Sequence, residues 1–180
     1  KKASRIASEG VVSAYMSEDG KVGALVEINC ESDFVAKNAS FVEFAESIAK
    51  QVAKTAPADV DALLAEKAID DNGTVLDKVN NATAKIGEKI SLRRFVRMEM
   101  NGRAETYIHM GGKIGVLLGV ETDKDISGNE AFVTACHDIA MHIAAFSPKY
   151  SYDSEVPAEE VEHEKEILKA QIKNDPKNAS

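Results

Sequence analysis

The sequence predicts an α+β fold built as a tandem repeat of two similar halves, and three observations carry that prediction. Val22, Ala24, Val26 and Ile28 alternate on one face of a stretch at residues 21–29, the period of a strand. Phe41, Phe44, Ala45, Ile48 and Val52 then recur at helical spacing. Past residue 101 the pattern starts again. Gly20-Lys21-Val22-Gly23 matches Gly112-Lys113-Ile114-Gly115, and Phe132, Cys136, Ile139 and Ile143 repeat the period of Phe41, Ala45, Ile48 and Val52. Each half therefore reads strand, turn, strand, loop, helix.

Residues 1–9 are polar and basic and read as a linker from a segment outside this chain. The first half takes residues 10–101. Residues 11–16 predict a strand, and Ser17-Glu18-Asp19-Gly20 a hairpin turn, since Asp-Gly favours positive φ. The second strand follows at 21–29. Residues 40–43, Ser-Phe-Val-Glu, have the pattern of a capping box, which predicts a helix from Ser40 to about Lys54. Pro57 breaks the chain. Residues 59–69 and 74–86 read as two further helices, with Asp71-Asn72-Gly73 as the stop between them and Gly87 as the end. Residues 90–100 read as a third strand. It carries Arg93, Arg94 and Arg97, for which a solvated face or ion pairs with the abundant acids is favoured over phosphate binding.

The second half takes residues 102–152. Strands are expected at 104–110 and 113–120, joined at Gly111-Gly112. Ser127-Gly128-Asn129-Glu130 has the form of a second capping box before the second helix. Residues 144–152, with Pro148, read as a turn. No third strand follows, so this half is incomplete. A two-stranded ribbon with an open edge is marginal alone, and the second sheet is expected to be covered by the first half or by a neighbour. Residues 153–180 form an acidic amphipathic helix and tail: the helix is expected at 157–174, with Ala158, Val161, Lys165, Leu168 and Ile172 on one face. Asp175-Pro176 ends it.

Composition bounds the function classes. The chain has 180 residues, and a hydrophobic fraction of 44% is enough to build a core. It does not begin with Met, as expected of a piece of a longer protein. No apolar run approaches the ~20 residues a membrane span needs, and nothing near the start resembles a secretory signal. Two cysteines, Cys30 and Cys136, make neither a disulfide framework nor a zinc knuckle. A cytoplasmic, reduced setting is the default. The net charge of −8 argues against a nucleic-acid partner, because phosphate neutralisation needs a basic face.

The most informative stretch is the octet Glu31-Ser-Asp-Phe-Val-Ala-Lys-Asn38, between the second strand and the first helix. Such connections are normally polar, yet this one holds Phe34 between Asp33 and Val35. Two readings stand. Phe34 either folds back as a staple on the following helix, or serves as an aromatic anchor for a partner's pocket, where a ring on a rigid turn loses little entropy. The octet closely resembles the signature of the bacterial elongation factor Ts family, with Ser32 where Thr is usual. The resemblance extends through Lys85-Ile-Gly-Glu-Lys-Ile-Ser-Leu-Arg-Arg94, Gly112-Lys-Ile-Gly-Val116 and Ile139-Ala-Met-His-Ile-Ala-Ala145, and so over essentially the whole chain.

The resemblance implies two α+β halves, each an antiparallel three-stranded sheet with helices on one face. It implies a guanine nucleotide exchange factor for elongation factor Tu in its GDP-bound and nucleotide-free forms. On the matching positions, Phe34 is a wedge that enters between two helices of the partner's GTPase domain, with Asp33 and Val35 beside it. Ile114, Gly115 and His142 match further contact positions. The family's N-terminal helical domain, final strand, closing helix and C-terminal module have no counterpart in these residues. No cofactor, metal or direct nucleic-acid contact is implied.

Rival readings are weaker. Alone, His142 on a mainly apolar helix reads as readily as a core or edge histidine. His137 and His142 are five apart, which does not place them on one helical face as a metal pair. The glycines at 111, 112 and 115 lead into a strand, whereas a phosphate loop leads into a helix. An enzyme using scattered carboxylates and histidines lacks any pair at a demanding spacing, so no enzyme activity is expected. A homo-oligomerisation module, a homodimer through the open edge and the tail helix, is the alternative.

Overall fold

In a computed structural model, which describes residues 5–174, the chain falls into two compact units that divide after Phe146. The larger holds strands β1 (Glu9–Met16), β2 (Val22–Cys30), β3 (Ser91–Glu99), β4 (Gly102–His109) and β5 (Ile114–Glu121). It also holds helices α1 (Asp33–Ala36), α2 (Ala39–Thr55), α3 (Val60–Ala65), α4 (Val75–Ile86) and α5 (Glu130–Phe146). The smaller unit contains helix α6 (Ala158–Asn174). Residues 1–4 of the expected linker and the Asp175-Pro176 stop lie outside the described residues.

Both sheets are antiparallel. β1, β2 and β3 pair in that order, and β4 pairs with β5. The α+β class, the complete first sheet and the two-stranded second sheet agree with the sequence pattern. β2 alternates as predicted: Ala24, Val26, Ile28 and Cys30 are buried with Phe41, Ala45, Ile48 and Val52 of α2. Leu63, Val75 and Val79, from α3 and α4, complete this core. Fully burying residues the size of Phe41 or Ile48 is worth about 1.5–3 kcal/mol each.

The other face of the first sheet carries the β4–β5 ribbon, as the marginal stability of two lone strands demands. The two approach closely at glycines. A Cβ on Gly23 would stand 2.6 Å from Leu117 Cδ1, and one on Gly115 would stand 2.5 Å from Val12 Cγ1. Backbone bonds tie the edges, with the Val12 N–H donating to the Gly112 carbonyl (2.8 Å) and the Ala104 N–H to the Gly20 carbonyl (2.8 Å). Helix α5 packs on the outer side of the ribbon, where Val116, Ala140 and Ala144 form a small core with Tyr107, Ile114 and Ile143 against it.

Two helix starts differ from the sequence reading, for one reason. Neither serine-led capping box forms. Asn38 caps α2, its side chain accepting from the Ser40 N–H, and Asn129 Oδ1 accepts from the Phe132 N–H at the start of α5. Asn is at least as good a cap as Ser, and it lies one residue ahead of each helix. The serines bond elsewhere, Ser40 Oγ to Asn38 Oδ1 and Ser127 Oγ to Asp125 Oδ1. Helix α3 is also shorter than residues 59–69. Its chain leaves at Glu66 in extended conformation, and Lys67 then bridges to Thr74. The arginines of β3 make ion pairs, Arg94 with Glu27 and Arg97 with Glu99.

Candidate functional site

The octet folds as a one-turn helix. Ser32 is its N-cap, with its hydroxyl facing the Val35 N–H at 3.4 Å. A single turn has little stability of its own, so its side chains must be held by neighbours. Ala36 is buried in the main core and Val35 packs against it. Those two residues turn Phe34 outward, and its ring is 83% exposed. The staple reading of Phe34 is therefore excluded.

Asp33 and Lys37 flank the ring. Lys37 Nζ donates to Asp33 Oδ2 at 2.8 Å across one helical turn. That bond, and the lysine's charge, hold the Asp33 carboxyl below its ordinary range and raise the Lys37 ammonium. The pair is solvent-exposed and adds little stability. Its effect is local, fixing charge of both signs beside an uncovered aromatic.

The turn between β4 and β5 stands next to this helix. Met110, Gly111 and Gly112 all have positive φ, which glycine adopts without strain. Ala36 and Lys37 share a cleft of about 410 Å³ with Gly111, Gly112 and Ile108, with β1 as its floor. Lys113 Nζ reaches Glu9 Oε2 at 3.0 Å on the same edge. The structure thus brings Asp33, Phe34 and Val35 to one edge of the molecule with the ribbon turn.

Ile114 and Gly115, adjacent in sequence, point to opposite faces of the ribbon. Ile114 packs with Val116, Ala140 and Ala144 on the α5 side, while Gly115 abuts Val12 of the first sheet. His142 is exposed on α5 and stacks on Phe146, with ring centroids 4.4 Å apart. Ile114 and His142 therefore belong to the α5 side of the ribbon, and Gly115 sets the spacing of the two sheets. Phe146 was not singled out from the sequence, though it lies four residues past His142, the spacing at which helical side chains meet.

The other histidines have separate neighbours. His109 Nδ1 lies 2.9 Å from the Tyr107 hydroxyl, and His137 Nδ1 lies 3.2 Å from Glu105 Oε1. Glu105 is buried and also accepts from Arg103. Among the described residues, no three His, Cys, Asp or Glu are grouped to hold a metal ion.

Comparison with known proteins bears on what such a surface is for. The family model for elongation factor Ts matches residues 31–180. Elongation factor Ts of Clostridium kluyveri is 44% identical over 179 residues, covering 98% of this chain and 58% of that protein. The same factor from Trichlorobacter lovleyi is 46% identical over 176 residues, covering 96% and 57%. Aromatoleum aromaticum supplies a third, 46% identical over 168 residues, with 93% and 53% covered. The chain spans little more than half the length of these relatives. On the family match, the identities and the octet, the chain belongs to the elongation factor Ts family.

Proposed function

We propose that this chain serves translation elongation by promoting release of GDP from elongation factor Tu. One observation carries the reading: Phe34 is an aromatic held outward on a turn where Ala36 is buried in the core and Val35 packs against it. A ring so fixed enters a partner with little further loss of conformational freedom. Inserted between two helices of the GTPase domain, it forces a discrete rearrangement, because packed cores do not deform continuously. The nucleotide and magnesium site is disturbed, GDP leaves and GTP rebinds.

No bond is made or broken by the chain, and no cofactor of its own is needed. Linkage supplies the drive, since a partner that prefers the nucleotide-free form must weaken nucleotide binding by the same coupling free energy. Asp33 and Val35 border the wedge. Ile114 and His142 offer a second contact on the α5 side, and Gly115 lets the ribbon close against the first sheet. The cytoplasm, where translation occurs, is the expected location.

Release of a fluorescent GDP from elongation factor Tu tests the reading. Acceleration that saturates with chain concentration is expected, together with weaker binding of the chain when GDP is in excess. Release unchanged by folded chain would overturn it. A second reading, self-association, has one observation in its favour: Val161, Leu168 and Ile172 form an exposed stripe along α6. Sedimentation over a hundredfold concentration range would show a shift if two copies pair.

A further inference from the structure

Glu88 lies far along the chain from the octet, between the glycine that ends α4 and the start of β3. Its carboxylate is nonetheless the principal polar partner of the octet's entry. Oε2 accepts from the backbone N–H of Glu31 and of Ser32, both at 3.0 Å, and Oε1 accepts from the Ser32 hydroxyl at 2.6 Å. Glu31 answers in kind, its Oε1 accepting from the Lys89 N–H at 2.6 Å. Two carboxylates thus clamp two chain segments reciprocally.

The clamp closes on the N-cap of α1. Hydrogen bonds with an ionised acceptor are roughly twice as strong as neutral ones, and here three converge on one side chain. A four-residue helix cannot supply that order itself. Gly87 sets the approach: its φ of +88° lets the chain leave α4 and turn Glu88 toward the octet.

We infer that Glu88 is a positioning residue for partner binding, holding the helix that presents Phe34. This rests on the reading of Phe34 as the partner's anchor. Glu88 need not touch the partner. Its contribution is preorganisation, which raises affinity by sparing the ring a search on binding. Gln at 88 keeps a carbonyl oxygen able to accept two N–H bonds, whereas Ala keeps none.

The test compares E88A, E88Q, F34A and the double variant E88A/F34A in the full chain. Three readouts are taken: the urea midpoint, chymotryptic cleavage after Phe34, and acceleration of GDP release from elongation factor Tu. E88A is expected to raise cleavage after Phe34 about tenfold by local opening, with the urea midpoint little changed. Exchange should fall roughly five- to tenfold in E88A, recover most of that in E88Q, and fall no further when E88A is added to F34A. Cleavage and exchange unchanged in E88A would overturn the inference. So would an E88A loss of equal size in the F34A background, or an E88Q variant as impaired as E88A despite an unchanged midpoint. If F34A alone leaves exchange intact, the wedge reading fails, while the cleavage readout still decides whether Glu88 holds the helix.

Discussion

The two halves of the larger unit begin from the same pattern and end with different surfaces. In the first, three strands and four helices enclose one extended core, and α2 buries seven residues, Phe41, Ala45, Ile48, Ala49, Gln51, Val52 and Ala53. In the second, α5 is the same length but buries only Cys136, Ala140 and Ala144, against two strands. Its Ile139 and Met141 are exposed, and Phe146 is 71% exposed. Ile139 thus departs from the helical stripe that matched Ile48. The lesson concerns division of labour. The complete half has enough buried surface to hold an exposed ring rigidly, whereas the incomplete half borrows the first sheet for support and leaves much of its helix uncovered.

The sharpest way to break this contrast is to remove one core residue from each half. Phe41→Ala is expected to cost about 3–5 kcal/mol by opening a cavity in the larger core. Val116→Ala should cost about 1.5 kcal/mol, since two methyl groups leave a site already close to solvent. Urea unfolding measures both, and a loss at Val116 as large as that at Phe41 would break the contrast.

Next in size is the seam between the halves. Gly115→Ala drives a Cβ onto Val12 Cγ1, and such overpacking typically costs ~1–3 kcal/mol. Val12→Ala in the same chain removes the obstructing methyl, so the double variant should be more stable than additivity predicts. Strict additivity would show that the ribbon does not rest on Val12.

The smallest effect is electrostatic and distinguishes helix starts. Asp77 accepts from the backbone N–H and hydroxyl of Thr74 at the head of α4, which holds its carboxyl below the ordinary 3.8. A carboxyl depressed by folding stabilises above its unfolded value and loses that contribution as pH falls through the folded value. Asp77→Asn should therefore flatten the loss of stability below about pH 4. The α5 start, capped by the uncharged Asn129, offers no such handle, and Asn129→Ala should leave the acid slope unchanged.

Much of this was legible in the sequence because it depends on local period. The alternation of Ala24, Val26 and Ile28, the stripe Phe41–Val52, the Thr74 start and Gly87 end of α4, and the repeated Gly-Lys-x-Gly all have direct structural counterparts. The octet marked the turn that leaves Phe34 exposed. What local pattern could not give was partnership across distance. Nothing in residues 31–38 says that Glu88 will hold them. Strand alternation puts Ile114 and Gly115 on opposite faces, but nothing in those two residues says which face meets α5 and which the first sheet. The serine caps failed because two good cap residues lay within three positions, and geometry rather than propensity chose the asparagine.

The most direct test of a rigid anchor on the complete half is the paired effect of Phe34→Ala and His142→Ala on GDP release from elongation factor Tu. Phe34→Ala should slow the accelerated rate about thirtyfold or more, the scale of a binding hot spot, with the chain fully folded. His142→Ala, on the exposed surface of α5, should slow it only a few-fold. A Phe34→Ala chain that accelerates release as well as the parent, or a larger loss at His142, would contradict the account.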